Sequence, residues 1–434
     1  MEANENEITP IGYTDWRNEK KPFGIKDKDR LGHMYVIGKT GVGKSTLLQN
    51  MAISDIQSGK GIAVLDPHGD IAEDLLDYIQ KERINDVLYF NPSDLEFAIG
   101  FNPLWNVPEN LHHLVVSGII STFRKIWAES WGPRLEHILR FSLLTLLQYP
   151  KATLLDIQPL LTNKEFRIHV LTFVKTKFIL EFWFNEFEKF PPSLKAEAIS
   201  PILNKVGVFQ TSTPLRNVVG QSISTLNISE LMKNGTVLIA NLSKGKLGEE
   251  VSSILGSMLV TAIQLSALAR SNEPEKDRKP FYLYVDEVHS FVSLSFADIL
   301  AEARKYALGL FIAHQYIDQL PEKIRVAIFG NVGTIISFRI GAEDAKYLSQ
   351  EFHPVFNESD LIHLPRYSMY LKLMIDGTTS KPFSAISNPP NIKRHNLKSE
   401  VLNASQHKYV GQGIDDKNPT TYELKSEQSQ RNLF

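Results

Sequence analysis

A chain of 434 residues exceeds what one ordinary hydrophobic core supports, so its length calls for a large domain carrying an insertion, or for two domains. Lysine and arginine total 47 against 49 acidic residues, which excludes nucleic-acid binding through net charge and leaves only local basic patches for it. The absence of cysteine excludes disulfides, thiol nucleophiles and thiolate metal sites.

The first residues, MEANENEITP, lack the basic start and apolar run of a signal peptide, so a cytoplasmic location is expected. Residues 1–25 read as an N-terminal arm. From Gly24 to about Phe101 the short β-rich runs MYVI, IAVL and VLYF alternate with helices starting at Lys44 and Ile71, the rhythm of a parallel α/β sheet. Over 109–230 Leu, Phe, Trp and Ile recur at helical spacing, which predicts an inserted all-α domain. Alternation then resumes with TVLIAN, a long helix through Leu268, FYLYVDE, a helix across Phe296 to Lys305, GLFIAH, a short helix near Arg325, and GTIISF. The sheet domain is therefore expected in two pieces, 26–108 and 231–388. Its last part is a hairpin of MYLKLMI and KPFSAI turning at Asp376 and Gly377. Residues 389–434 are too polar to fold alone and read as a flexible tail. The most apolar stretch, Ile254 to Ala269, is interrupted by Gly256, Ser257, Thr261, Gln264 and Ser266 and falls short of a bilayer's width. It is expected to be a buried helix, leaving no transmembrane segment.

Between MYVI and the first helix stands GKTGVGKS, Gly38 to Ser45, a complete Walker A sequence. Gly38, Gly41 and Gly43 let the backbone turn its amides inward, and those amides with the helix N-terminus bind phosphate oxygens. Residues Gly38, Lys39, Thr40, Gly41, Val42, Gly43, Lys44, Ser45 and Thr46 are thus expected around ATP. Lys44 reaches the β and γ phosphates, and Ser45 enters the shell of Mg2+. FYLYVDE ends a buried strand in two acids, with Asp286 as the metal partner and Glu287 as general base. GLFIAHQ brings Gln315 to the strand end where an amide senses the γ phosphate, whereas His314 reads as a packed or loop histidine. The strand between the two Walker elements and the paired acids point to a RecA-like ATPase of the additional-strand class, with a mostly parallel sheet.

Two further segments allow more than one reading. Arg304 in AEARKYALG is a cation closing a helix, favoured there by the dipole, or an arginine finger given to a neighbouring subunit. In LDPHGD, Asp66, His68, Gly69 and Asp70 reach the same sheet edge as the nucleotide. Two acids and a histidine allow a metal site, but Gly69 and Asp70 also read as a turn and helix cap, and Asp66 is a candidate for ordering water around the magnesium.

Walker A, DPHGD, the α insertion, VDE, EARKYALGLFIAHQ and LPRYSMYLKLMIDGTTSKPFSA together resemble the conjugative coupling proteins of type IV secretion, within the FtsK/HerA class. The blocks WGPRLEHILR, NVVGQ and LIANLSKGKLGEE extend the likeness, which runs from about Phe23 to Ala385. The resemblance implies a hexameric ring that uses ATP to pull DNA through a central channel, its helical insertion engaging DNA or a protein escort. It assigns Lys44 and Ser45 to Walker A, Asp286 and Glu287 to Walker B, Arg304 to the finger and Gln315 to the sensor. The family's N-terminal membrane region has no counterpart here, so a membrane or secretion-channel partner is the expected anchor. Lys244 and Lys246, in a glycine-containing loop, are candidate DNA contacts. Arg124, Lys125, Arg134 and Arg140 form a second basic group among Trp127 and Trp131, two tryptophans better read as core. Two alternatives remain open at this point: a motor of the same class with protein cargo, and a nucleotide-binding scaffold that does not hydrolyse.

Overall fold

The computed structural model describes residues 7–15, 17 and 19–411. The described residues divide into two compact units, one built from residues 7–91 and 227–408 and the other from residues 92–226 and 409–411.

The first unit is organised by an eleven-stranded sheet. In chain order its strands are β1 (Ile8–Thr14), β2 (Pro22–Lys26), β3 (Met34–Ile37), β4 (Gly61–Asp66), β5 (Val87–Phe90), β6 (Val237–Asn241), β7 (Phe281–Val285), β8 (Leu308–His314), β9 (Thr334–Ser337) and β10 (Ser368–Lys372). A two-stranded ribbon of β11 (Met374–Ile375) and β12 (Thr378–Thr379) precedes the last sheet strand, β13 (Phe383–Ser387). The order is β2-β1-β13-β10-β9-β3-β8-β7-β4-β6-β5. From β9 to β5 every pair is parallel, and the strands are apolar on both faces because helices cover both sides. From β10 to β2 the pairing is antiparallel. The fold is therefore α/β and RecA-like, and β8 separates the Walker A strand β3 from the Walker B strand β7, as the additional-strand class requires. Asp376 and Gly377 form the turn of the β11–β12 ribbon with φ of 50° and 78°.

Three features differ from expectation. The N-terminal arm is not separate from the sheet: β1 and β2 extend it through β13. The polar stretch after Asn388 is not a featureless tail, since it carries a helix at Lys398–Tyr409. It is held by polar contacts rather than a core of its own. Arg394 pairs with Asp74 and Asp77, and Tyr78 donates to the Asn391 carbonyl at 2.6 Å. Val401 is fully buried, and Ser405 accepts the Tyr89 amide of edge strand β5 at 2.9 Å. The remaining expected tail, 412–434, lies outside the described residues. Finally, the apolar stretch belongs to a longer helix, Glu249–Ala269. With its extension to Asn272 it is the one segment among the described residues long and apolar enough to cross a membrane, yet 67% of its most apolar window is buried inside the fold.

A buried ionic cluster ties the helix after Walker A to the Walker B strand. Arg30 grips Asp55, on the Lys44–Gln57 helix, through two bonds of 2.7 Å, and Tyr284 of β7 donates to Asp55 at 2.6 Å. Burial alone would raise the Asp55 carboxyl, but Arg30 outweighs it and holds the group below its ordinary value. Removing one partner of such a pair strands the other charge, so Asp55→Ala is expected to lose about 3–5 kcal/mol of stability, read from urea denaturation. The double variant Arg30→Met with Asp55→Leu should lose less than either single change. Because the folded pKa is depressed, this contribution is complete above the unfolded carboxylate value of about 3.9 and is lost as pH falls through the folded one.

The second unit is helical, with long helices at His112–Ile126, Pro133–Leu146 and Pro192–Thr211 around buried Phe123, Leu143, Trp183 and Phe209. It begins at Pro92 rather than 109 because the extended residues near Gly100 bond the far end of the same unit. Leu226 donates to the Gly100 carbonyl at 3.0 Å, and Gly100 to Thr225 at 3.1 Å.

Candidate nucleotide and magnesium site

The parallel strands deliver their following loops to one edge, where the Walker A loop, Asp286, Glu287 and Gln315 come together. Gly41 and Gly43 take φ of 75° and 127°, which turns the loop back over the start of the Lys44–Gln57 helix. Lys44 is buried and donates to the carbonyls of Gly38 at 2.6 Å and Lys39 at 3.1 Å, so its ammonium lies within the loop. Burial lowers its pKa, against the opposing pull of Glu287 and Asp286. Ser45 Oγ donates to Asp286 Oδ2 at 3.3 Å.

Burial pushes the Asp286 carboxyl up to about 6, with Glu287 and Asp66 adding to the shift and Lys44 opposing it. Such crowding of acids is what a cation relieves. Among the described residues no group of three His, Asp or Glu is arranged to cage a metal. Mg2+ takes one or two protein oxygens alongside phosphate and water, and Ser45 Oγ beside Asp286 Oδ2 supplies such a pair. The residues thus fit a magnesium nucleoside triphosphate. Ser45 and Asp286 would hold the metal, which would neutralise charge on the transferring phosphoryl group.

Glu287 follows β7 in a left-handed conformation, φ 46° and ψ 55°. Its Oε1 accepts from Gln315 Nε2 at 2.9 Å, and Thr40 Oγ1 donates to Gln315 Oε1 at 3.2 Å. Gln315 therefore connects the phosphate loop to the acid, a link through Thr40 that sequence reasoning did not foresee. His314 is fully buried and bonded to Tyr35 OH at 2.7 Å. Burial pulls it down to about 3, so it is a neutral core residue at pH 7.

Asp66 stands close enough to Asp286 to raise its pKa, but the other named residues lie apart from this constellation. Both oxygens of buried Asp66 accept backbone amides, from His68 at 2.9 Å and Ala72 at 3.0 Å, so its first task is to shape the loop entering the Asp70–Leu75 helix. Arg304 sits in the Ala303–Tyr306 turn before β8, at the opposite edge of the sheet from Gln315 at the end of that strand. The seven residues of β8 alone span roughly 20 Å, beyond the reach of an arginine side chain. Arg304 is exposed and its side chain makes no hydrogen bond or ion pair among the described residues.

Lys244 and Lys246 fall in a short helix, Lys244–Leu247, and both face carboxylates, Glu249 at 3.4 Å and Glu73 at 3.1 Å. In the helical unit Glu136 pairs with Arg124 and Arg140, and Arg134 lies 3.7 Å from Glu197. Trp127 and Trp131 are half-buried, the latter donating to Glu136 at 2.8 Å.

The family described as the helicase HerA central domain matches residues 25–263, more than half of the chain. The chain belongs to that family. This HerA-family chain matches no curated protein sequence. Among solved structures, the unbound bacterial conjugative coupling protein TrwB has the same fold, with a TM-score of 0.61 and 17% identity over 86% of this chain and 88% of that one. TrwB in complex with ADP and Mg2+ gives 0.60 and 16% over 85% and 87%. VirB4 of Thermoanaerobacter pseudethanolicus gives 0.60 and 12% over 89% and 98%. The HerA-family P-loop core thus carries the fold shared by TrwB and VirB4.

Proposed function

We propose that this HerA-family chain is an ATP hydrolase that works as a hexameric ring and moves DNA, in the manner of a conjugative coupling protein. The observation that carries the ring is the placement of Arg304. An exposed arginine with no ion pair among the described residues, at the sheet edge opposite its own phosphate loop, serves catalysis by entering the site of a neighbouring copy. Lys44 and Arg304 then stabilise charge on the γ phosphoryl from two subunits, Glu287 takes a proton from the attacking water, and Gln315 reports the state of the phosphate loop. DNA as the cargo is supported by the helicase family and by the coupling proteins that share the fold. Working in the cytoplasm, the ring would reach a membrane channel through a partner protein.

A second reading, with protein as cargo, is favoured by the acids that already face Lys244, Lys246, Arg124, Arg134 and Arg140. ATPase rate against protein concentration, with and without single- or double-stranded DNA at several salt concentrations, separates the two. For the DNA motor, turnover per subunit rises with concentration, DNA raises it further, and salt abolishes the DNA effect. Concentration-dependent turnover indifferent to DNA would select protein cargo. Concentration-independent turnover would remove the ring.

A further inference from the structure

The phosphate loop has two walls, and only one of them is accounted for by catalysis. Strand β3 lies between β8 and β9. The β8 side carries Gln315, with Glu287 beyond it on β7, so the γ end of a bound nucleotide faces that way. The nucleoside end therefore leaves toward β9 and β10. There Lys39 N donates to the Arg339 carbonyl at 2.9 Å, and Tyr367 N donates to the Val42 carbonyl at 2.9 Å. A Cβ on Gly43 would stand 3.0 Å from Tyr367 Cδ1 and 3.1 Å from Phe338 Cε1, so the tyrosine ring touches the loop backbone itself.

Tyr367 is also backbone-strained. Its φ of 68° is one that bulky side chains rarely adopt, and such residues persist where the surroundings impose them, often beside ligands. Its carbonyl accepts from Ser387 N at 2.9 Å, so one residue is pinned to the phosphate loop through its amide and to the end of β13 through its oxygen. Next to it, Arg366 is exposed, with its guanidinium 4.8 Å from the centre of the Tyr367 ring and no hydrogen bond or ion pair among the described residues.

Resting on the ATP-site reading above, we propose that Arg366 and Tyr367 form the nucleobase subsite, a stacking platform for the purine ring. A planar guanidinium and a phenol ring fixed against the loop offer π faces and no base-edge code. The platform accepts adenine and guanine alike.

The test is calorimetric binding of ATP and of inorganic tripolyphosphate, each with Mg2+, to the full chain and to Tyr367→Ala, Tyr367→Phe and Arg366→Ala. Tyr367→Ala and Arg366→Ala are expected to weaken ATP about 5–100-fold and tripolyphosphate by less than about twofold, with Tyr367→Phe close to wild type. Equal losses for both ligands would overturn the proposal, since the pair would then be supporting the loop or touching phosphate. Unchanged ATP affinity would overturn it as well. Failure of the wild type to bind either ligand would instead sink the ATP-site reading and this subsite with it.

Discussion

ATP turnover is expected to fall about 10²–10⁴-fold in Glu287→Gln, with ATP still bound. The placement of the side chain supports the proposed role as base. Its left-handed backbone aims it from the end of β7 into the site, and Gln315 fixes Oε1 at 2.9 Å. Oε2 is buried without a hydrogen bond among the described residues, with His289 Nδ1 standing 3.4 Å away. That oxygen is the one available to accept a proton from water. The amide keeps the size of the side chain and a carbonyl for Gln315, so the constellation persists while the proton acceptor is lost. Removing the negative charge beside Asp286 also relieves its crowding, so metal and nucleotide binding do not suffer. Single-turnover hydrolysis paired with equilibrium ATP binding checks this. Wild-type turnover in the variant would refute the assignment of Glu287 as base.

The parts of this site readable in advance are those whose chemistry is local in sequence. GKTGVGKS announces itself within eight residues, and FYLYVDE and GLFIAHQ do so through apolar strands that end abruptly in polar groups. What stayed hidden depends on partners far apart. Thr40 and Gln315 meet across 275 residues, and Glu73 meets Lys246 across 173. A lysine in a glycine-containing loop reads as a free cation until its acid is seen. The arm's strands were obscured because Pro10 and Gly12 break the β pattern of β1, which owes its stability to β13. The segment 389–411 contains few apolar residues, and its order comes from Asp74, Asp77 and Tyr78 on another element. Tyr367 was present in LPRYS, but a tyrosine before a strand carries no signal of contact with a loop more than 300 residues away.

Arg304→Ala is expected to lower assembly-dependent turnover by about 10³–10⁵-fold while leaving ATP affinity near wild type. Both halves follow from geometry. Roughly 20 Å of β8 separates Arg304 from the phosphate loop of its own chain, so its loss removes nothing from the ATP that this chain binds. Its side chain has no carboxylate or carbonyl to abandon among the described residues, so truncation does not strand a partner or disturb the turn, whose Ala307 N to Arg304 O bond is made by backbone. On the proposed reading, such a cation is inert in the monomer and acts only when another subunit presents a γ phosphate. Mixing Arg304→Ala with Lys44→Ala makes the distinction. Each variant alone is inactive, but an interface that joins the intact phosphate loop of the first to the intact arginine of the second restores turnover. Activity in the mixture should peak near equal proportions and vanish on dilution below the assembly concentration. Full activity of Arg304→Ala alone, or no recovery in mixtures that still assemble, would show that the arginine does not cross the interface.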